Sequence, residues 1–222
     1  MIKLFDPIQK LNLDNFSPQA STNPVVGPQL THLEINMTNF SSYDLSSFLQ
    51  PTLQDLRLRF RSDTALVLTR DSSTLTLPNL TTLGIEMVES PITRLLVTPA
   101  INKLILYRSQ SPPTSSEWQF ASWGHLSMVK ELELENWTHE GDDLDAVAAF
   151  RNLSPSMAHV SKLKFRHSRV DGRALIEVLG DMSTLGGAGR KMDEVLLQRC
   201  TGISQDECLI VRSKVGSLKI HP

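Results

Sequence analysis

A six-residue pattern, L-x-x-L-x-L with Leu, Ile, Val, Met or Phe allowed at each L, recurs nine times along this chain. The occurrences begin at Ile8, Leu30, Leu53, Leu80, Ile101, Val129, Val160, Met192 and Val215, with successive starts 21 to 32 residues apart. One occurrence is cheap in a chain that is 40% hydrophobic; nine, spread along its whole length, are not. Such spacing marks a repeat architecture, whose units bury a core only by stacking on their neighbours. The expectation is an α/β solenoid forming a single elongated domain over residues 1–222, with about nine irregular repeats.

Within each occurrence the last two apolar positions sit two apart, which puts both side chains on one face of a strand. Leu33/Ile35, Leu56/Leu58, Leu83/Ile85, Leu104/Leu106, Leu132/Leu134, Leu163/Phe165, Val195/Leu197 and Leu218/Ile220 are therefore expected to point into the core. The returns between strands differ along the chain. Asp143–Leu153, Gly172–Met182 and Ser204–Val215 carry helical periodicity. Asp142 or Asp143, then Asp171, stand at N-cap positions for the first two, and Ser204 with Glu207 has capping-box spacing in the third. In the N-terminal half, Asp44–Leu49 is one short helical candidate, while Thr64–Thr69 and Ser73–Leu77 look extended. Ser109–Ser116, with Pro112 and Pro113, reads as an irregular excursion, and Gly186–Gly189 as a flexible loop.

The segment Met192–Asp206 is similar to the cysteine-containing leucine-rich repeat, in which a strand ends at a Cys, a Gly-Ile-Ser/Thr turn follows, and an acidic residue caps a helix. Val195, Leu197, Cys200, Gly202, Ile203, Ser204 and Asp206 match that pattern. With its degenerate N-terminal repeats, the chain resembles the leucine-rich region of fungal, mushroom-type F-box proteins. The resemblance implies a substrate-receptor role in ubiquitin ligation. It implies a Skp-type adaptor as partner only in a longer form carrying an F-box, since the first repeat already begins at Ile8 and no F-box is expected here. The position three after the last L, which in leucine-rich repeats ties neighbouring turns together, holds Thr38, Ser109, Ser168 and Cys200 as expected hydrogen-bonding residues. Phe16, Arg61, Val88 and Trp137 occupy it elsewhere and are not expected to serve.

The outward strand positions form the candidate partner surface. Glu131, Glu133 and Glu135 lie on one strand beside Lys162, Lys164 and Arg166 on the next. Arg57 and Arg59 add charge earlier in the chain, and Ile105, Tyr107 and Leu196 are apolar residues expected on the open face, with Tyr107 the preferred anchor. Acids beside bases form either a cross-strand charge ladder or a bipolar patch that orients a charged partner. Trp118, Trp123 and Trp137 are expected to be packing residues.

The remaining classes are bounded by composition. A formal net charge of −2 gives no general pull on nucleic acid or anionic membrane. Two cysteines, Cys200 and Cys208, make no disulfide framework, and Cys200 is expected to be buried and structural. The N-terminus lacks a secretory apolar stretch and no segment is long enough to span a bilayer, so an intracellular protein, cytoplasmic or nuclear, is expected. The N-x-S/T triplets at Asn15, Asn36, Asn39, Asn79, Asn136 and Asn152 are those of a chain rich in these residue types. No catalytic, cofactor or metal motif is present. The chain is thus expected to be a protein-recognition module that is not an enzyme. The alternatives are a stand-alone scaffolding repeat protein, and an enzyme using the acidic loop His139–Asp143. Ile8, Leu11 and Leu13 suggest an N-terminal edge prone to self-association.

Overall fold

A computed structural model describes residues 9–14, 29–37, 49–60, 74–87, 96–108, 124–138, 146–153, 159–185 and 192–222. The protein is mixed α/β, and every pair of neighbouring strands described below runs parallel. It divides into two compact units.

The first unit holds β1 (Lys10–Asp14), β2 (His32–Met37), β3 (Asp55–Phe60), β4 (Leu75–Thr76), β5 (Thr82–Met87) and β6 (Leu96–Val97). Its main strands lie in the order β1-β2-β3-β5, and β4 pairs separately with β6. The extended expectation for Ser73–Leu77 is met by β4. The Asp44–Leu49 helix candidate (apart from Leu49), Thr64–Thr69 and the Ser109–Ser116 excursion lie outside the described residues.

The second unit holds β7 (Lys103–Arg108), β8 (Glu131–Glu135), α1 (Ala146–Leu153), β9 (Lys162–Arg166), α2 (Gly172–Leu185), β10 (Met192–Gln198), α3 (Gln205–Lys214) and β11 (Val215–His221). The strands follow chain order from β7 to β11. Their parallel pairing is what helical crossovers allow. Asp171 caps α2 as expected, its carboxylate accepting from the amides of Arg173 and Ala174 at 2.9 and 3.1 Å. The capping box at α3 is complete. The Glu207 amide donates to Ser204 Oγ, and the Ser204 amide donates back to the Glu207 carboxylate. Asp142, Asp143 and Gly186–Gly189 lie outside the described residues.

The core follows the period-two pattern closely. The inner pairs of β2, β3, β5, β7, β8, β9 and β10 are each no more than 1% exposed. From the helices, Val147, Phe150, Leu175, Val178 and Val211 join them. Two expectations fail at the last repeat. Ile220 is 50% exposed and Leu218 half-buried, because among the described residues no strand lies beyond β11 to cover them. On α3, Leu209 is 58% exposed. It stands two residues from the buried Val211, about 200° around the helix axis, and so projects away from the core.

Six strands, β2, β3, β5, β8, β9 and β10, are set in register at their starts by one recurring device. The carbonyl just before a strand accepts two consecutive amides from the next repeat. Gln9 takes those of Thr31 and His32, Thr31 those of Gln54 and Asp55, and Gln54 those of Thr81 and Thr82. In the second unit Asn102, Lys130 and Ser161 do the same, and all these distances fall between 2.8 and 3.1 Å.

Candidate recognition face

The strand ends carry a second recurring device. Asn136, His167 and Arg199, each two residues past the last inward strand position, adopt positive φ of 67°, 48° and 51°. This left-handed residue turns the chain, and the next side chain reaches back to the preceding strand. Trp137 Nε1 donates to the Leu106 carbonyl at 3.2 Å and Cys200 Sγ to the Phe165 carbonyl at 3.3 Å, while the Ser168 hydroxyl is shared between the Arg166 carbonyl at 2.7 Å and the Leu134 carbonyl at 3.4 Å. Leu106, Leu134 and Phe165 are each the last inward residue of the strand one repeat earlier. Ser168 and Cys200 act as expected. Trp137 was expected only to pack, yet it is a donor as well, since an indole N–H reaches further than a hydroxyl and serves the same carbonyl. Thr38 and Ser109 lie outside the described residues.

Past Cys200 the turn closes on Gly202 at φ 85°, where a side chain would meet Arg169 Cγ and the Val170 carbonyl at 3.0 Å. Cys200 is half-buried, and burial pushes its thiol above the ordinary range. Burial raises the Cys208 thiol too, with the Glu207 charge acting the same way. A protonated thiol is a donor and a poor nucleophile, in keeping with a structural role for Cys200.

The outer strand face of the second unit is an ion-pair network. Lys103 Nζ lies 2.8 Å from Glu131 and 2.6 Å from Glu133, Lys164 Nζ 2.9 Å from Glu131, and Arg166 Nε 2.9 Å from Glu133. Glu131 faces Lys162 and Glu133 faces Lys164 in backbone register, so the β8–β9 pairs run diagonally, each base one outer position further along. The acids of β8 are therefore held from both sides, by β7 and by β9. Burial works to raise the Glu131 carboxyl, but hydrogen bonds from Lys103 and Lys164 outweigh it and hold the group below its usual value. Burial would likewise lower Lys103, and its two glutamate partners raise it instead. Glu194 is lowered by its hydrogen bond from Lys219, and Glu135 also has a partner within the protein. Lys162 is exposed. In the first unit Arg57 lies 3.0 Å from Asp55, and Arg59 3.6 Å from Glu34 on the neighbouring strand.

Three of the expected contact residues are not open. Ile105, Tyr107 and Leu196 are 2%, 3% and 9% exposed. Lys103 reaches diagonally to Glu133, the register partner of Ile105, so its methylene stem runs between them. Leu196 lies in register between Lys164 and Lys219 of the neighbouring strands. Tyr107 is engaged within the protein, so it is not an exposed anchor. Glu133 is buried as well, at 1% exposure. What remains accessible on this face is mostly charged: Lys162 is exposed and Lys219 about half-exposed beside Glu194, with Glu131, Glu135, Lys164, Arg166 and Glu194 partly accessible.

The acidic loop His139–Asp143 lies outside the described residues, as do Trp118 and Trp123. Among the described residues no three His, Cys, Asp or Glu side chains gather as metal ligands, and no helix is long and apolar enough to cross a membrane.

No family model and no curated protein matches the chain. A solved protein structure from Bacteroides fragilis is similar to it with a TM-score of 0.54 and 12% sequence identity, over 87% of this chain. The match spans 65% of the length of that protein, and the likeness is one of fold.

Proposed function

We propose that both units are runs of leucine-rich repeats, and that the chain is an intracellular protein-recognition module of the kind that selects substrates in F-box ubiquitin ligases. The observation that carries this reading is the line of side-chain bonds from Trp137, Ser168 and Cys200, each tying a turn to the strand one repeat before it. Stacked repeats of this kind hold their outer strand residues at fixed spacing. A partner then meets a preset charge pattern at little ordering cost. The ion pairs keep that pattern in place; Lys162 is exposed, and Lys219 stays about half-exposed within its pair with Glu194.

A photo-crosslinking side chain placed in cells at Lys162 or Lys219, with Arg173 on helix α2 as the comparison site, tests the proposal. The expected result is one protein captured from both strand positions and not from Arg173, whose ubiquitination falls when the Lys164→Glu variant replaces the parent chain. Capture from the helix position alone would overturn the strand face as the recognition surface. Shared capture with unchanged ubiquitination would overturn the ligase role.

A further inference from the structure

Most of the large apolar side chains that the described residues expose belong to one repeat. Leu209 is 58% exposed, Ile210 46% and Ile220 50%, with Met128 at 49% standing elsewhere. The inner positions of the seven other strands named above are buried, so β11 presents a core face with one side uncovered. Among the described residues, β11 pairs with β10 and with nothing along its other edge. An open strand edge over an apolar face is a template for another strand.

The direction of the backbone groups at that edge can be fixed. The Arg199 amide donates to the His221 carbonyl at 2.7 Å, so the polar groups of His221 point at β10. Along a strand these directions alternate, which turns the N–H and C=O of Gly216, Leu218 and Ile220 to the open edge. The carbonyls of Leu106, Leu134 and Phe165 face the following repeat in the same way, where each accepts a side-chain bond.

We propose that this edge is a self-association surface, and that its occupant is the β11 strand of a second copy, running antiparallel across a two-fold axis at Leu218. In that register Leu218 faces its own copy, and Gly216 of each chain faces Ile220 of the other. All three edge-facing residues then exchange both of their hydrogen bonds, and each Ile220 packs over a position with no side chain. Ser217 faces Lys219, so no like charges meet. The alternatives are worse. Centring the axis on Lys219 sets two ammonium groups directly opposite and brings Pro222, which has no N–H, against Gly216. Centring it on Ser217 leaves Ile220 without a partner strand residue. The two-fold contact closes on itself as a dimer.

Sedimentation of the whole chain over a range of concentrations tests this, with hydrogen exchange measured alongside. The expected species at high concentration has twice the 24.8 kDa mass of one chain. The Leu218 and Ile220 amides should exchange more slowly as concentration rises. Ile220→Lys, at an already exposed position, should return the chain to monomer with its circular dichroism unchanged, while Met128→Lys leaves the dimer intact. A monomer throughout, or β11 amides whose exchange is independent of concentration, would overturn the proposal. A dimer that Ile220→Lys does not weaken, or assembly growing beyond two copies, would also overturn it.

Discussion

The indole Nε1 of Trp137 donates to the main-chain carbonyl of Leu106 at 3.2 Å, with both residues buried. Removing that donor leaves a carbonyl out of reach of water. Trp137→Phe is therefore expected to lower stability by about 1–3 kcal/mol, the cost of one unsatisfied buried polar group. Urea unfolding followed by far-ultraviolet circular dichroism measures it. No change would mean that the bond contributes nothing and that packing alone holds the turn.

Left-handed backbone at Asn136, His167 and Arg199 is strained to different degrees. Asn and His tolerate this region better than most other side chains with a Cβ. Arg199→Gly is expected to stabilise the protein by about 1 kcal/mol, whereas Asn136→Gly gains less. Arg199→Val, β-branched at positive φ, should destabilise it. Thermal melts of the three variants give the order.

The two bases next to Glu131 are not equivalent. Lys164→Met leaves Glu131 still paired with Lys103, and with side chains 18% and 19% exposed the loss should fall between about 1 kcal/mol, as for a surface pair, and about 3 kcal/mol, as for a buried one. Lys103→Met also withdraws a partner from the buried Glu133. Its cost should fall near the lower end of about 3–5 kcal/mol, because Arg166 still holds one carboxylate oxygen. Equal losses for the two variants would count against this difference in burial.

Stability should fall at both extremes of pH. Glu131, Glu194 and Glu207 are held below the 4.5 of an ordinary glutamate, Glu207 by the Ser204 amide and hydroxyl. Their stabilisation is complete above 4.5 and is lost as pH drops through their folded values. Lys103 is raised above 10.5, so its contribution holds below 10.5 and disappears as pH rises through its folded value. Melting temperature against pH should show a plateau between, and Glu131→Gln should flatten part of the acid side.

Cys200 donates to the Phe165 carbonyl and has its thiol raised by burial. Native labelling by a thiol reagent near neutral pH is expected to be much slower at Cys200 than in a short peptide carrying the same turn. A native rate equal to that of the peptide would remove Cys200 from the ladder.

The inward positions were legible in the sequence because a two-residue period fixes which side chain faces the core, as at Leu132 and Leu134. The caps at Asp171 and Ser204 were legible for a similar reason, since each acts within three residues of its partner. Long-range relationships were harder to read. Trp137 reaches 31 residues back to Leu106, and no local pattern marks an indole as a donor to a distant turn. Tyr107 and Ile105 occupy outward positions, but alternation says only which face a residue takes, not whether other side chains cover it. The diagonal pairing of Lys164 with Glu131 depends on side-chain reach across the register, which spacing alone does not specify.

The paired amides on Gln9, Thr31, Gln54, Asn102, Lys130 and Ser161 anchor strands whose pattern starts lie anywhere from 21 to 32 residues apart. Strand alignment is thus settled by short local bonds at the starts of these strands and does not depend on the length of what lies between. Segments joining the strands can be lengthened, shortened or replaced without sliding one strand past another. A lineage built this way can change its connecting loops at little structural risk, and those loops are where new binding surfaces can arise.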